Sequence, residues 1–130
     1  MPCSGLPLPA CFAARAADPQ LERGQYLVER TSMCWECHSP RDQTGQFIRG
    51  AWLGGAPIAV VPKQPIPGWA EYAPKLAGLP EHYTEAQFVS FLETGLRPDG
   101  SQAGPPMPAY RFNQADAQAI TAYLKSLRRE

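Results

Sequence analysis

The sequence predicts an all-α fold in which three main helices are joined by long loops. Three stretches of the chain combine a helix-capping residue with apolar side chains at helical spacing. The 15 prolines and 11 glycines make up about a fifth of the 130 residues, which is well above the usual ~12% and predicts much loop. Three helices have too little apolar surface to fill a domain of this length, so we expect the loops to enclose a large prosthetic group.

The first predicted helix begins after Asp18. Asp18 is a favourable N-cap, and Pro19 suits the first helical position because its missing N–H costs nothing there. A glycine inside a helix costs roughly 1 kcal/mol relative to alanine. We therefore expect another helix to pack closely against Gly24. The stripe of apolar or small residues consists of Leu21, Gly24, Leu27, Val28 and Thr31.

Two further helices are predicted in the C-terminal half of the chain. Thr84 to Gln87 form a capping box that opens a helix through Thr94, with Gly95 as its stop. The last helix is predicted from near Asn113 to about Arg128. Its narrow apolar seam consists of Ala117, Ile120, Leu124 and Leu127.

The segment from Pro40 to Pro80 contains seven prolines and is predicted to be an ordered wrap of turns. Proline neither continues a helix interior nor pairs within a central strand, which leaves room for no more than a short strand or helical turn. So long an irregular segment is unusual inside a compact domain. It becomes reasonable if the segment packs on a group that is not protein.

Charge and hydropathy exclude two classes of protein. Twelve Lys and Arg balance twelve Asp and Glu, whereas a nucleic-acid binder carries a basic excess. The longest apolar stretch, near Ile58–Val61, is far shorter than the ~18 residues of a spanning helix, so no transmembrane segment is predicted.

Residues 1–17 resemble a truncated signal peptide, and the domain is therefore assigned to residues 18–130. Small residues at positions 14, 16 and 17 resemble an export cleavage site, but a basic start is missing and prolines interrupt the apolar part. Leu8 to Cys11 also resembles a lipoprotein box, in which a lipid on Cys11 would anchor the chain. The alternative is an unstructured tail in which Cys3 and Cys11 are incidental.

The string Cys34-Trp35-Glu36-Cys37-His38 carries the chemistry. Two thiols separated by two residues can add to the two vinyl groups of a haem, and the adjacent His38 can supply the proximal nitrogen to the iron. Three other interpretations compete. A thioredoxin-like pair needs a βαβ context, a zinc site needs two more ligands, and a plain disulfide leaves His38 unexplained. The pattern favours covalent attachment of haem through Cys34 and Cys37.

Met107 is the candidate distal ligand of the iron. Met1 lies in the leader and Met33 directly precedes the attachment motif, whereas Met107 is flanked by Pro106 and Pro108, which stiffen its loop. The alternatives are that Met107 only fills the core, or that His82 is the ligand.

From Asp18 to Leu127 the chain resembles the class I c-type cytochromes, and among them the bacterial monohaem domains that serve periplasmic dehydrogenases and respiratory oxidases. The resemblance implies a small cytochrome c-like fold wrapped around one covalently bound haem. The matching strings are Cys34–His38 with Ser39 and Pro40, residues 73–78, the middle helix, Pro105–Tyr110 and the helix at 119–127.

The same resemblance implies roles for individual residues. Gly24 and Tyr26 would meet the last helix near Tyr123. The carbonyl of Pro74 would accept the Nδ1–H of His38, which fixes the imidazole tautomer. The residues offered as contacts of the haem propionates are Arg49, Trp52, Trp69 and Tyr72.

These features predict an electron carrier rather than an enzyme, because a filled distal position leaves no place for a substrate. The expected partners are redox proteins such as a dehydrogenase, an oxidase or another cytochrome, and the expected location is the periplasm or the outer face of the inner membrane. The alternatives are a haem subunit of a larger dehydrogenase or oxidase, and a sensor or peroxidase with an open distal site. Trp35 would either contribute to partner docking at the haem edge or pack locally.

Overall fold

The computed structural model describes residues 18–128, so the predicted leader with Cys3 and Cys11 lies outside the described residues. Its helices are α1 (Pro19–Tyr26), α2 (Trp35–His38), α3 (Glu85–Thr94) and α4 (Gln114–Ser126). A π-helical turn (Leu27–Thr31) continues α1, and a 3-10 turn spans Arg49–Ala51. Two strands, β1 (Ala56–Pro57) and β2 (Tyr72–Ala73), pair antiparallel.

Two details of the predicted fold class are not confirmed: the chain is not purely α-helical, and it has more than three helices. α1, α3 and α4 are the predicted helices, but α2 is a fourth one and β1 and β2 form a small sheet. A four-residue helix is too short to show apolar periodicity. The two strands of the sheet, in which Ala56 lies opposite Ala73, come from loops that are distant in the chain. Their pairing therefore leaves no local sequence pattern that would predict it.

The ends of the three longer helices follow their capping signals. The side chain of Asp18 accepts hydrogen bonds at the start of α1, and Asn113 does the same for α4. Thr84 and Gln87 form the reciprocal capping box of α3 at 3.1 and 3.0 Å. Gly95 ends α3 with a φ of 76°, a left-handed conformation that glycine adopts without strain.

α1 and α4 cross in close contact at Gly24. A Cβ atom at this position would lie 2.7 Å from the Cβ of Tyr123 and would collide with the carbonyl oxygen of Ala119. The expectation that a helix packs closely on Gly24 is confirmed. Tyr26, expected at the same contact, is 53% exposed.

Polar contacts also link α4 to α1 and to the π-helical turn that continues α1. Arg23 binds Asp116 through two parallel hydrogen bonds of 3.0 and 3.1 Å. The hydroxyl of Tyr123 donates to the carboxylate of Glu29 at 2.8 Å. Because exposed ion pairs contribute little and the Arg23 side chain is half-exposed, the backbone contact at Gly24 decides how closely the helices approach.

Replacing Gly24 with alanine is expected to lower the free energy of unfolding by about 1–3 kcal/mol, the usual cost of overpacking. The methyl group meets a backbone carbonyl, which moves only if the two helices separate. Thermal unfolding of the haem-loaded protein measures the change. Gly50→Ala is the matched control, because a Cβ there meets nothing within 4 Å. A Gly24→Ala protein as stable as the control would contradict the expectation.

The apolar core lies between α1, α3, α4 and the loop that follows α2. Its fully buried side chains include Val28, Leu53, Ile120 and Leu124. Cys34 and Met107 are partly buried and pack against this same core. Within residues 18–128, no helix is long and apolar enough to cross a membrane.

Candidate functional site

The motif Cys34–His38 forms a single helical turn. Cys34 is the N-cap of α2, and the backbone N–H of His38 donates to the carbonyl oxygen of Cys34 at 3.0 Å. Residues three and four positions apart share one face of a helix, so the turn gathers both cysteines and the histidine. The N–H of Cys34 donates to Val28 at 3.1 Å and joins the motif to the π-helical turn.

His38 is buried and held in one tautomer. Its Nδ1 lies 2.7 Å from the carbonyl oxygen of Pro74. A carbonyl oxygen only accepts hydrogen bonds, so Nδ1 carries the proton and Nε2 keeps its lone pair. Burial lowers the pKa of His38, although the bond to Pro74 works in the opposite direction. The neutral imidazole therefore offers Nε2 as a ligand nitrogen.

The chain after His38 is fixed by two further hydrogen bonds. The N–H of Gly55 donates to the carbonyl oxygen of His38 at 2.8 Å. The buried hydroxyl of Ser39 accepts from the N–H of Leu53 at 2.8 Å. The segment from Pro40 to Pro80, which we call the proline-rich segment, is thus bonded to His38 and Ser39 and restricts the movement of the histidine.

The two cysteines are not joined in a disulfide. Burial raises the pKa of the Cys34 thiol to about 11, and the neighbouring Cys37 contributes in the same direction. Reactive thiols of redox proteins have lowered pKa values, so this environment disfavours thiol–disulfide exchange. The part of the chain that the structure describes also has no group of three or more His, Cys, Asp or Glu placed to hold a metal ion.

Trp35, between the two cysteines, belongs to an aromatic cluster. Its indole N–H donates to the carbonyl oxygen of Glu29 at 2.9 Å, and its ring stacks on Trp52 with centroids 5.7 Å apart. Phe47 meets both rings edge-on, and the Arg41 guanidinium lies 3.8 Å from the centre of the Phe47 ring. Of the two interpretations of Trp35, these contacts favour local packing.

Met107 lies in an irregular stretch between α3 and α4 that we name the Met107 segment (residues 104–112). Its side chain is partly buried against the core that Cys34 also contacts. The N–H of Met107 donates to Gly104 at 3.3 Å and closes a turn. The carbonyl oxygen of Pro105 accepts from the N–H of Ala70 at 2.7 Å, which anchors the turn to the proline-rich segment.

His82 lies in a different environment from Met107. It is exposed, has a left-handed φ of 68°, and lines a surface cleft with Lys75 and Arg128. This position favours Met107 over His82 as the distal candidate.

The four residues predicted to contact the haem propionates lie in two different parts of the chain. Arg49 lies over the ring of Trp52 at 5.2 Å. Trp69 and Tyr72 belong to another segment, where the Trp69 indole N–H donates to the carbonyl oxygen of Val60 at 3.2 Å. The structure therefore brings Arg49 and Trp52 into contact with each other.

Tyr110 is a site residue to which sequence reasoning assigned no role. Its hydroxyl donates to the carbonyl oxygen of Ser32 at 3.3 Å. Burial raises the pKa of Tyr110, and the charges of Cys34 and Cys37 act in the same direction. Because Ser32 lies 78 residues earlier in the chain, no local pattern could identify this bond.

This set of donors fits a covalently attached haem. Two unlinked thiols on one helical turn can form the two thioether bonds, and the adjacent buried imidazole keeps a lone pair for the iron. A carbonyl that orients the ligating histidine is the usual second partner of such a nitrogen. Fold and site together describe a haem protein of the c type.

Comparison with known sequences agrees with this class. The sequence model described as Cytochrome c matches residues 21–128, and the chain belongs to the cytochrome c family. Membership confirms the resemblance to the c-type cytochromes and implies covalently bound haem c and electron transfer.

Similar proteins come from several bacteria. The chain is 32% identical to a diheme cytochrome c-type protein of Cereibacter sphaeroides, over 82% of this chain and 35% of that protein. It is 30% identical to the fructose dehydrogenase cytochrome subunit of Gluconobacter japonicus, over 81% and 21%. It is 31% identical to the cytochrome c subunit of alcohol dehydrogenase (quinone) of Gluconobacter oxydans, over 85% and 24%. The chain thus spans between a fifth and about a third of the length of these relatives.

Proposed function

We propose that residues 18–130 form a monohaem c-type domain that passes single electrons between redox proteins. The observation that carries this proposal is the 2.7 Å contact between His38 Nδ1 and the carbonyl oxygen of Pro74. That contact leaves Nε2 of a buried histidine available beside two unlinked cysteines.

Each residue of the motif then has a separate task. Cys34 and Cys37 tether the cofactor through thioether bonds, so it stays bound when the protein unfolds. His38 supplies the proximal nitrogen, Nε2. The carbonyl of Pro74 accepts the Nδ1–H of the same ring, which fixes the orientation of the imidazole and makes Nε2 a stronger ligand. The bonds from Gly55 and Leu53 hold the surrounding loop in place.

Met107 supplies the distal sulfur in this proposal. Its partial burial against the core shared with Cys34 supports the assignment, as do the prolines on both sides of it. A haem bound in this way supplies one-electron redox chemistry, with a potential that a thioether ligand raises. Met107 also blocks the distal position, so the domain carries electrons and does not transform a substrate.

The partners in this proposal are other redox proteins: a dehydrogenase, an oxidase or a further cytochrome. The location is the periplasm or the outer face of the inner membrane, with residues 1–17 as a leader or anchor. A formal net charge of zero argues against strong long-range steering, so the rate of electron transfer should depend only mildly on salt.

A second candidate is a haem domain of a larger dehydrogenase. The observation that favours it is that two relatives are named as cytochrome subunits of dehydrogenases and that the chain spans 21% and 24% of them. Purification from the native cell distinguishes the two candidates, because a free carrier elutes alone and a subunit elutes in a complex.

The proposal is tested on protein produced together with a haem-maturation system. We expect the denatured polypeptide to remain coloured, with its mass increased by one haem. The folded ferric protein should show the weak far-red band of sulfur-ligated iron and should not bind carbon monoxide readily after reduction. A colourless denatured chain would refute haem attachment, and ready binding of carbon monoxide would support the sensor or peroxidase alternative.

A further inference from the structure

The Met107 segment has no regular secondary structure, so its position depends on contacts with the rest of the protein. Its first part is held by the 2.7 Å bond from Ala70 to the carbonyl oxygen of Pro105. Its last part is held by the N–H of Phe112, which donates to the carbonyl oxygen of Leu92 in α3 at 3.0 Å. Both anchors are backbone bonds, and neither reaches the Cys34–His38 motif.

Tyr110 supplies the connection between the Met107 segment and the cysteine side of the site. Its hydroxyl donates to the carbonyl oxygen of Ser32 at 3.3 Å, two residues before Cys34. Its half-buried ring stacks on Phe112, with centroids 5.1 Å apart and planes inclined by 22°. The ring therefore packs on Phe112, whose backbone is bonded to α3, and its hydroxyl is bonded to Ser32 just before the cysteines.

We propose that Tyr110 is a positioning residue that holds Met107 at the distal position. The inference rests on the proposed function, in which Met107 is the distal ligand. An outside ligand replaces Met107 only when the Met107 segment moves away from the motif. Such a movement carries Tyr110 with it and breaks the bond to Ser32, so the hydroxyl opposes the opening.

The test compares Tyr110→Phe with the wild-type haem-loaded protein. The variant keeps the ring and its stack on Phe112 and removes only the hydroxyl. Imidazole is the probe, because it competes with a thioether for ferric iron. We expect the variant to bind imidazole about three- to tenfold more tightly, the scale of one neutral hydrogen bond. The far-red band should remain without imidazole, and it should be lost at a correspondingly lower imidazole concentration.

Tyr83→Phe is the matched control. Tyr83 is also half-buried and packs edge-on against Phe88 and Phe91. Equal imidazole affinities for Tyr110→Phe, Tyr83→Phe and the wild type would overturn the positioning role. A fall in thermal stability without a change in imidazole affinity would also overturn it, since that result describes a purely structural hydroxyl. Absence of the far-red band from the wild-type protein would instead refute Met107 ligation itself, and the Tyr110 proposal with it.

Discussion

Replacing both Cys34 and Cys37 with serine is expected to yield a protein without covalently bound haem. A serine hydroxyl does not add to a vinyl group as a thiol does, so neither thioether can form. Both thiols are unlinked in the structure, so no disulfide competes for them. Protein produced with a haem-maturation system should lose all its colour on extraction with acidified organic solvent, and its mass should equal that of the bare polypeptide.

The control for this experiment is the double variant Cys3→Ser with Cys11→Ser. It removes the same number of thiols from the chain but leaves the motif intact. Its denatured polypeptide should stay coloured. Haem that survives extraction in the Cys34→Ser, Cys37→Ser protein would show that attachment occurs elsewhere, and the assignment of the site would be wrong.

Replacing Met107 with alanine is expected to abolish the weak far-red band of the ferric protein. Removing the thioether also takes away the ligand that favours the reduced state, so the reduction potential should fall. The distal position becomes accessible, and carbon monoxide should bind the reduced variant readily at neutral pH. Absorption spectra and a redox titration of the haem-loaded variant measure these three effects.

Met33→Ala is the matched control for Met107→Ala. Met33 is 44% exposed and directly precedes the attachment motif, on the side expected to be proximal. Its replacement should leave the band and the potential unchanged. Survival of the band in Met107→Ala would disprove the distal assignment, and its loss in Met33→Ala instead would identify Met33 as the ligand.

The three longer helices were predictable because their ends are determined by neighbouring residues. Asp18, Thr84 and Asn113 each accept hydrogen bonds from N–H groups two or three positions ahead. Gly95 supplies the left-handed conformation that ends α3. These interactions lie within a few residues along the chain, so the sequence displays them directly.

The fourth helix and the sheet depend on tertiary contacts instead. α2 has four residues and is held from outside by the bond between Cys34 and Val28. β1 and β2 each have two residues and pair across an intervening loop. Elements this short have no period to detect, and only the folded chain shows where their partners lie.

The functional site also combines features that are local in the sequence with features that depend on tertiary contacts. The spacing of Cys34, Cys37 and His38 is local, so the sequence alone indicates haem attachment. The contact between His38 and Pro74 spans 36 residues and was expected only from the resemblance to c-type cytochromes. The role of Tyr110 was missed because its partner, Ser32, is remote and accepts through a backbone atom that every residue has.

The contact between α1 and α4 has a consequence for the order of folding. Arg23 and Asp116 are 93 residues apart in the chain, so this pairing has high contact order and a large loop-closure cost. Because synthesis starts at the N-terminus, the Cys34–His38 motif is made well before Ala119 and Tyr123, the residues that cover Gly24. Until that C-terminal part of the chain is present, the first helix therefore lacks the docking partner that α4 provides in the folded domain.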